Sequence, residues 1–246
     1  DYIIRLVNPI DMGDLPSIYS SLAISNGPSH ILVAGLLLGS LEDIDTNGSP
    51  DSLATGDDEL PVPGVSDDED GIDFGTFQPG MPAVVTVTVQ SNNASAVVYG
   101  FIDFNGDGDF SDVGERQQIA TPSTGSYLLT FTVPTTATLF SPIGARFRLS
   151  SDSAAAQPTG AAINGEVEDY LIAVNTPLDF GDLPDPADGS GVLDYNTRLY
   201  DGGANHPMIP GLQMGAAIDA EEEGQPNSLA AGDDISPTVG TDDEDG

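Results

Sequence analysis

Residues 103–115 read DFNGDGDFSDVGE and place oxygen-bearing side chains at alternate positions, Asp103, Asn105 and Asp107, followed by Gly108. Three such side chains can converge on one hard cation while the glycine permits a sharp turn, as in the first half of an EF-hand-type calcium loop. Asp109 stands where a backbone carbonyl usually ligates. The second half departs from that pattern, with Ser111 at the ninth position and Glu115 at the thirteenth rather than the twelfth. Asp112 or Glu115 is therefore left to supply the closing carboxylate. The segment VVYGFID runs directly into the loop, so a strand rather than a helix frames it. A polar β-turn using Asn, Gly and Asp for their turn propensity is the plainer alternative. Five acids in thirteen residues, with one base (Arg116) just after them, favour calcium.

A second acidic pattern occurs twice. DIDTNGSPD (43–51) and DAEEEGQPN (219–227) align Asp43, Asp45, Asn47 and Asp51 with Asp219, Glu221, Glu223 and Asn227. Downstream, Asp57, Asp58, Asp67, Asp68 and Asp70 recur as Asp233, Asp234 and the acids of a second DDEDG at 242–246. Exchange of one oxygen donor for another is what a hard-cation site tolerates, and the absence of cysteine argues for calcium over zinc. A solvated acidic linker is the alternative.

The segment GEVEDY (165–170) puts Glu166 and Glu168 on one face of a strand and Val167 and Asp169 on the other. Arg146 and Arg148 have the same spacing in the strand IGARFRLS. A cross-strand ladder of structural ion pairs is the simpler expectation; a carboxylate from this stretch reaching a calcium is the sharper one. His30 and His206 occupy equivalent places in two copies of one pattern, so they are one position seen twice rather than a catalytic pair. No nucleophile elbow, phosphate-binding glycine loop or zinc-protease motif occurs, and the expectation is that the chain is not an enzyme.

The elements that must position these groups are strands. The segments 83–90, 95–103, 126–133, 143–150 and 166–174 are rich in Val, Phe, Tyr, Thr and Ile, and they largely alternate between turn signals. Val85, Val87 and Val89 share one face; Phe147 and Leu149 oppose Arg146 and Arg148. The segment 31–41 reads as a short helix or a buried strand. Together these predict an all-β, antiparallel β-sandwich, Ig-like or jelly-roll-like, with long acidic calcium-binding loops.

That pattern repeats. DYIIRLVNPIDMGDLP (1–16) shares nine of sixteen positions with DYLIAVNTPLDFGDLP (169–184), and residues 39–58 share ten of twenty with 215–234. A period near 170 residues is domain-sized and predicts tandem repeats. Residues 1–10 are expected to be the closing strand of a preceding repeat. Residues 11–176 make one complete repeat, with an acidic head (11–71) and a sandwich body (72–176). Residues 177–246 are expected to be the head of a following repeat. The chain begins in mid-pattern, so a preceding segment is expected.

The net charge is −35, from forty acids and five arginines, with no lysine. Nucleic acid and anionic membrane surfaces, bound through Lys and Arg, are poor partners for it, and no run is long and apolar enough to insert in a membrane. Without cysteine there is no disulfide framework, and calcium is the expected staple.

GEVEDYLI after the RFRLS strand, FIDFNGDGDFSDVGE, and the head DFGDLP…GQPN…GDD…DDEDG together resemble the GEVED-type repeats of large bacterial surface and secreted proteins. The resemblance implies an extracellular β-sandwich module arrayed in tandem, with an adhesive or structural role. The expected function is a calcium-stabilised structural or adhesive repeat of a fibre, matrix or adhesin stalk at the cell surface. The alternative is a calcium-dependent carbohydrate-binding module facing surface glycans. The expected partners are neighbouring copies of itself, with residues 1–10 available for strand addition to another sheet.

Overall fold

The computed structural model describes residues 9–42, 44–56, 68–186, 192–216, 218 and 220–232. The chain divides after Val174 into two compact units, 1–174 and 175–246. The expected strand at 1–10 falls largely outside the described residues. Its last member, Ile10, is the first residue of β1 (Ile10–Met12), paired with Ile31.

In the first unit, β1 is followed by β2 (Ser29–Ile31), β3 (Leu36–Leu38), β4 (Ile72–Phe74), β5 (Pro82–Ser91), β6 (Val97–Ile102), β7 (Arg116–Ala120), β8 (Gly125–Thr132), β9 (Pro142–Ser150), β10 (Ala161–Ala162) and β11 (Glu166–Ala173). All pairings are antiparallel except β10 on β2. One sheet is built around β5, which carries β3 and β4 along one edge and β8 along the other; the second runs β11-β9-β6-β7. Alternation in β5 buries Ala83, Val85, Val87 and Val89, and these meet Val98, Ala145, Phe147 and Leu149 of the second sheet in one apolar core. Each valine, leucine or phenylalanine so buried contributes about 1.5–3 kcal/mol. The segment 31–41 resolves as a turn and the strand β3, whose three leucines are all buried. A helix there would have left the edge of β5 unpaired.

The central strand β9 is buried on both faces along nearly its whole length. Its second face is covered by the head, whose small sheet β1-β2-β10 and short 3-10 turns form a third layer. Leu15, Tyr19, Tyr99, Phe101, Phe110 and Ala155 fill the space between. Under this layer lies the pair Arg146–Asp169. Arg146 donates from Nε to Asp169 Oδ1 and from Nη2 to Asp169 Oδ2, both at 2.7 Å, and both side chains are 0% exposed. The head closes over the pair. Leu15 N–H donates to Asp169 Oδ2 at 2.9 Å, and Arg146 Nη2 also reaches Ser21 Oγ at 3.0 Å. A Cβ at position 13 would stand 2.2 Å from Asp169 Oδ2, so the glycine of DMGDLP is required by the close approach of the head to this carboxylate.

The second unit has β12 (Leu178–Phe180) and β13 (Asn205–Pro207), paired in the register Leu178↔Pro207, Asp179↔His206, Phe180↔Asn205. β1 and β2 pair in the matching register, with Asp11 opposite His30.

Removing one partner from a buried ion pair leaves an uncompensated charge and costs about 3–5 kcal/mol. Asp169→Ala is therefore expected to lower the unfolding free energy of the first unit by about that amount, read from denaturant unfolding. A cost under about 1 kcal/mol would mean that the pair is solvated.

Candidate metal centre

The loop at 103–115 connects β6 to β7 and is shaped from within by two buried acids. Asp103, 0% exposed, accepts N–H groups from Gly106 and Asp107 on Oδ1 and from Gly108 on Oδ2, at 2.7, 3.2 and 2.9 Å. Its Oδ2 also accepts the Tyr19 hydroxyl at 2.9 Å, and that hydroxyl accepts the Gly144 N–H at 3.0 Å. Glu115 takes the Phe104 N–H on Oε1 and the Asp112 N–H on Oε2, at 3.0 and 3.1 Å. Burial first, then the charges of Asp103 and Asp112, pushes its carboxyl up to about 7. Asp103 and Glu115, expected as ligands, thus spend these oxygens on holding the loop's backbone.

The loop projects the remaining acids outward. Asp107, Asp109 and Asp112 are exposed, and one carboxylate oxygen of each lies within 4.8 Å of the others. Among the described His, Asp and Glu residues this is the one such group of three or more. Asn105 Nδ2 donates to Asp107 at 3.1 Å and to Asp112 at 2.7 Å, so the amide sits at the same cluster. Asn105 turns its NH2 to the carboxylates while its Oδ1 accepts the Asp107 N–H at 3.1 Å, so the oxygens on offer are those of three carboxylates on a glycine-rich turn, a donor set that fits calcium and offers nothing to a soft metal. Tyr19, which ties the loop to the head, carries no sequence signal: it is one aromatic residue in an irregular stretch.

The second acidic pattern does not converge among its described members. Asp45 Oδ2 accepts the Met12 N–H at 2.8 Å, Asn47 Oδ1 accepts the Ala23 N–H at 2.9 Å, and Asp51 Oδ1 accepts the Leu53 N–H at 2.6 Å. In the second unit Glu221 accepts from Phe180 at 2.8 Å, Glu223 from Leu199, and Asn227 from Leu229 at 2.8 Å. The exchanges Asp/Glu, Asn/Glu and Asp/Asn follow from this use, because the backbone donor needs an acceptor oxygen and is indifferent to its charge. Asp14 and Asp182 match in the same way, accepting the N–H of Gly56 at 2.6 Å and of Gly232 at 2.8 Å. Asp43, Asp57, Asp58, Asp67, Asp219, Asp233 and Asp234 lie outside the described residues. Asp68 is buried, and Asp70 accepts from Ser40 N–H at 2.8 Å and from Ser40 Oγ–H at 2.5 Å.

The expected ladder of Arg146 and Arg148 with Glu166 and Glu168 does not form. The β11–β9 register sets Glu166 opposite Leu149, Val167 opposite Arg148, Glu168 opposite Phe147 and Asp169 opposite Arg146. Residues directly opposite share a face, so the glutamates lie on the core side and the arginines under the head. Arg148 instead donates to the carbonyls of Gln157 and Gly160, both at 2.7 Å, and to His30. Burial first, then the neighbouring Arg146 charge, pushes Arg148 down to about 10.

The five residues 165–169 each carry a distinct part of this architecture. Gly165 has φ +98°, and a Cβ there would lie 1.7 Å from the Leu149 carbonyl oxygen. Glu166 Oε2 accepts the Leu38 N–H, Val167 N–H donates to Asp11 at 2.6 Å, Glu168 Oε1 accepts the Gly71 N–H at 2.9 Å, and Asp169 binds Arg146. Residues 97–173 match the family model of the GEVED domain. The match runs from β6 through the end of β11, so it takes in the sheet β11-β9-β6-β7, the strand β8, the loop 103–115 and the motif itself, while the head and β5 lie outside it. None of the curated proteins compared with the chain matches it.

His30 sits where the head meets the GEVED domain, fully buried on Arg148. Arg148 Nε always donates, so His30 Nε2, 2.9 Å away, accepts; its Nδ1–H therefore donates to the Asn164 carbonyl, also at 2.9 Å. Burial first, and then the Arg148 charge, holds its pKa well below the ordinary imidazole value of 6.5. A base depressed in the folded state contributes stability that is present above the unfolded value and lost as the pH falls below it. The stability advantage of the native protein over His30→Gln is expected to shrink below about pH 6.5, by up to about 1.4 kcal/mol per pH unit. Denaturant midpoints of both proteins between pH 8 and 5 measure it; a difference independent of pH would refute the neutral, arginine-bound histidine.

Proposed function

We propose that this chain is a calcium-stabilised structural or adhesive segment of an extracellular protein, built from β-sandwich units that recur along it. The observation that carries the reading is the convergence of the Asp107, Asp109 and Asp112 carboxylates on a loop held in shape by buried Asp103 and Glu115. Without counter-ions those three charges repel one another within a single turn; calcium neutralises them and supplies the bonds that fix the turn. Asp103 is hydrogen-bonded to Tyr19 of the head, so an ion that stiffens the loop also stiffens the contact between head and sandwich. The identical anchoring of paired acids in 9–56 and in 175–232 supports recurrence of the head, and with it an array whose partners are further copies of the same module. With a net charge of −35, such an array needs divalent cations to pack closely, which suits a calcium-rich exterior. The role of the metal is mechanical: it makes an acidic, cysteine-free chain rigid.

Calcium at about a hundred times its dissociation constant stabilises a single site by about 2.7 kcal/mol, which for a domain of this size is about 5–10 °C in melting temperature. Excess EDTA is expected to lower the melting temperature of the intact chain by at least that amount, and added calcium to restore it. The variant Asp107→Asn/Asp109→Asn/Asp112→Asn should respond less to both. An unchanged melt in EDTA would sink the proposal.

A further inference from the structure

The two heads are built alike inside and differ on one face. Tyr19 N–H donates to the Pro16 carbonyl at 2.8 Å, and Tyr195 N–H to the Pro184 carbonyl at 2.9 Å. The Ser21 hydroxyl donates to the Leu15 carbonyl at 2.7 Å, and the Thr197 hydroxyl to the Leu183 carbonyl at 2.8 Å. A Cβ on Gly27 would stand 2.1 Å from the Ser21 carbonyl oxygen, and one on Gly203 equally close to that of Thr197. Residues that look into the first head are buried in the second as well: Met12 and Phe180, Asp14 and Asp182, Asp45 and Glu221.

The residues that change are those that meet the sandwich in the first unit. Leu15 is 0% exposed and Leu183 48%, Tyr19 6% and Tyr195 46%. Gly13 and His30 are buried, whereas Gly181 and His206 are exposed. In the first unit Gly13 and the Leu15 N–H lie against Asp169, the Tyr19 hydroxyl bonds Asp103 and the Gly144 N–H, and His30 accepts from Arg148. In the second a Cβ on Gly181 would meet nothing within 4 Å, and the Leu183 N–H is without a partner among the described residues. Gly181 also has no positive φ. A glycine costs chain entropy unless a left-handed turn or a close approach requires it, and neither requirement arises within this head.

We propose that the face carrying Gly181, Leu183, Tyr195 and His206 is a docking surface for a GEVED-type sandwich whose central strand bears an arginine paired with an aspartate, as Arg146 is paired with Asp169. Gly181 admits the aspartate, and the Leu183 N–H donates to it. Tyr195 reaches the carboxylate at the place of Asp103, and His206 accepts from an arginine at the place of Arg148. Leu183 and Tyr195 supply the apolar cover that keeps water from the ion pair. The first unit shows the same four contacts made by the counterparts of these residues, and so says what covers the face. The proposal rests on the recurrence of the head put forward above, and not on calcium.

The second DDEDG places Gly246 where Gly71 stands in the first unit, so the probe is the full chain with a second copy of residues 72–176 joined after Gly246. The chain has no cysteine, and the labelling rate of Leu183→Cys by a thiol reagent therefore reports on the face. Val192→Cys, at a site 95% exposed in the longer loop of the second head, is the reference. In the chain without the added copy both variants are expected to label fast. In the extended protein Leu183→Cys should label at least about tenfold more slowly, because a side chain under a docked layer reacts only when that layer opens; Val192→Cys should keep its rate. Gly181→Leu should leave the melting temperature of the unextended chain unchanged and restore fast labelling of Leu183→Cys in the extended one. Asp169→Ala in the added copy should restore it too. Fast labelling of Leu183→Cys in the extended protein overturns the proposal whether or not circular dichroism shows the added sandwich folded, since the face is held to supply the layer that sandwich needs. A dimer of the unextended chain in sedimentation, returned to monomer by Leu183→Asp, would give the face to a second copy and overturn it as well. Labelling is measured in calcium and in EDTA: protection of Leu183→Cys reports on this face and the melting response to EDTA on the loop at 103–115, so either can fail alone.

Discussion

The architecture of the first unit depends on a buried ion pair lying on the second face of a central strand. Arg146 and Asp169 sit opposite one another on β9 and β11, fully out of water, where a lone charge would be prohibitive. Satisfying the guanidinium and the carboxylate takes more than each other. Leu15 N–H, Ser21 Oγ and the Pro158 carbonyl complete the set, and all three come from outside the sheet. The head is consequently a structural layer of the domain, not an appendage, and its sequence is constrained by what it covers. Gly13 is the clearest trace, because any side chain there would occupy the place of the Asp169 carboxylate.

The same head explains why the acids of this chain are not interchangeable. Some are acceptors for backbone N–H groups, as Asp45, Asp51 and Asp14 are in the first unit and Glu221, Asn227 and Asp182 are in the second. At those places an amide substitutes for a carboxylate without loss of the bond. Others, such as Asp103 and Glu115, hold a loop whose rim carries three further carboxylates. Glu166 and Glu168 are buried on the core side of β11, where they accept the N–H groups of Leu38 and Gly71. Alternation of acids along the sequence is common to all three situations, and only burial and convergence tell them apart.

Much of the sandwich was legible in the sequence. The alternation of Val85, Val87 and Val89 and the Phe/Arg alternation of 146–149 located strands to within a residue or two, since a period of two survives any tertiary context that buries one face. β7 was not legible, because its residues Arg116–Ala120 are largely polar and only half-covered. β4 and the head strands were too short to show a period. At the loop 103–115 the sequence identified the acids but could not say which point outward. Asp103 and Glu115 turn inward because the backbone of a tight turn needs acceptors.

The sequence by itself determined the all-β class, the faces of the long strands, the acidic loop and the GEVED motif, because each is local: periodicity and turn chemistry act over a few residues. Tertiary structure alone decided the partners. A shift of one residue in register exchanges every neighbour across a strand pair, and the actual register gave Arg146 to Asp169 and left the glutamates on the core side. Whether β9's second face met water or protein was likewise set by a head more than a hundred residues away, whose docking buries the Arg146–Asp169 pair.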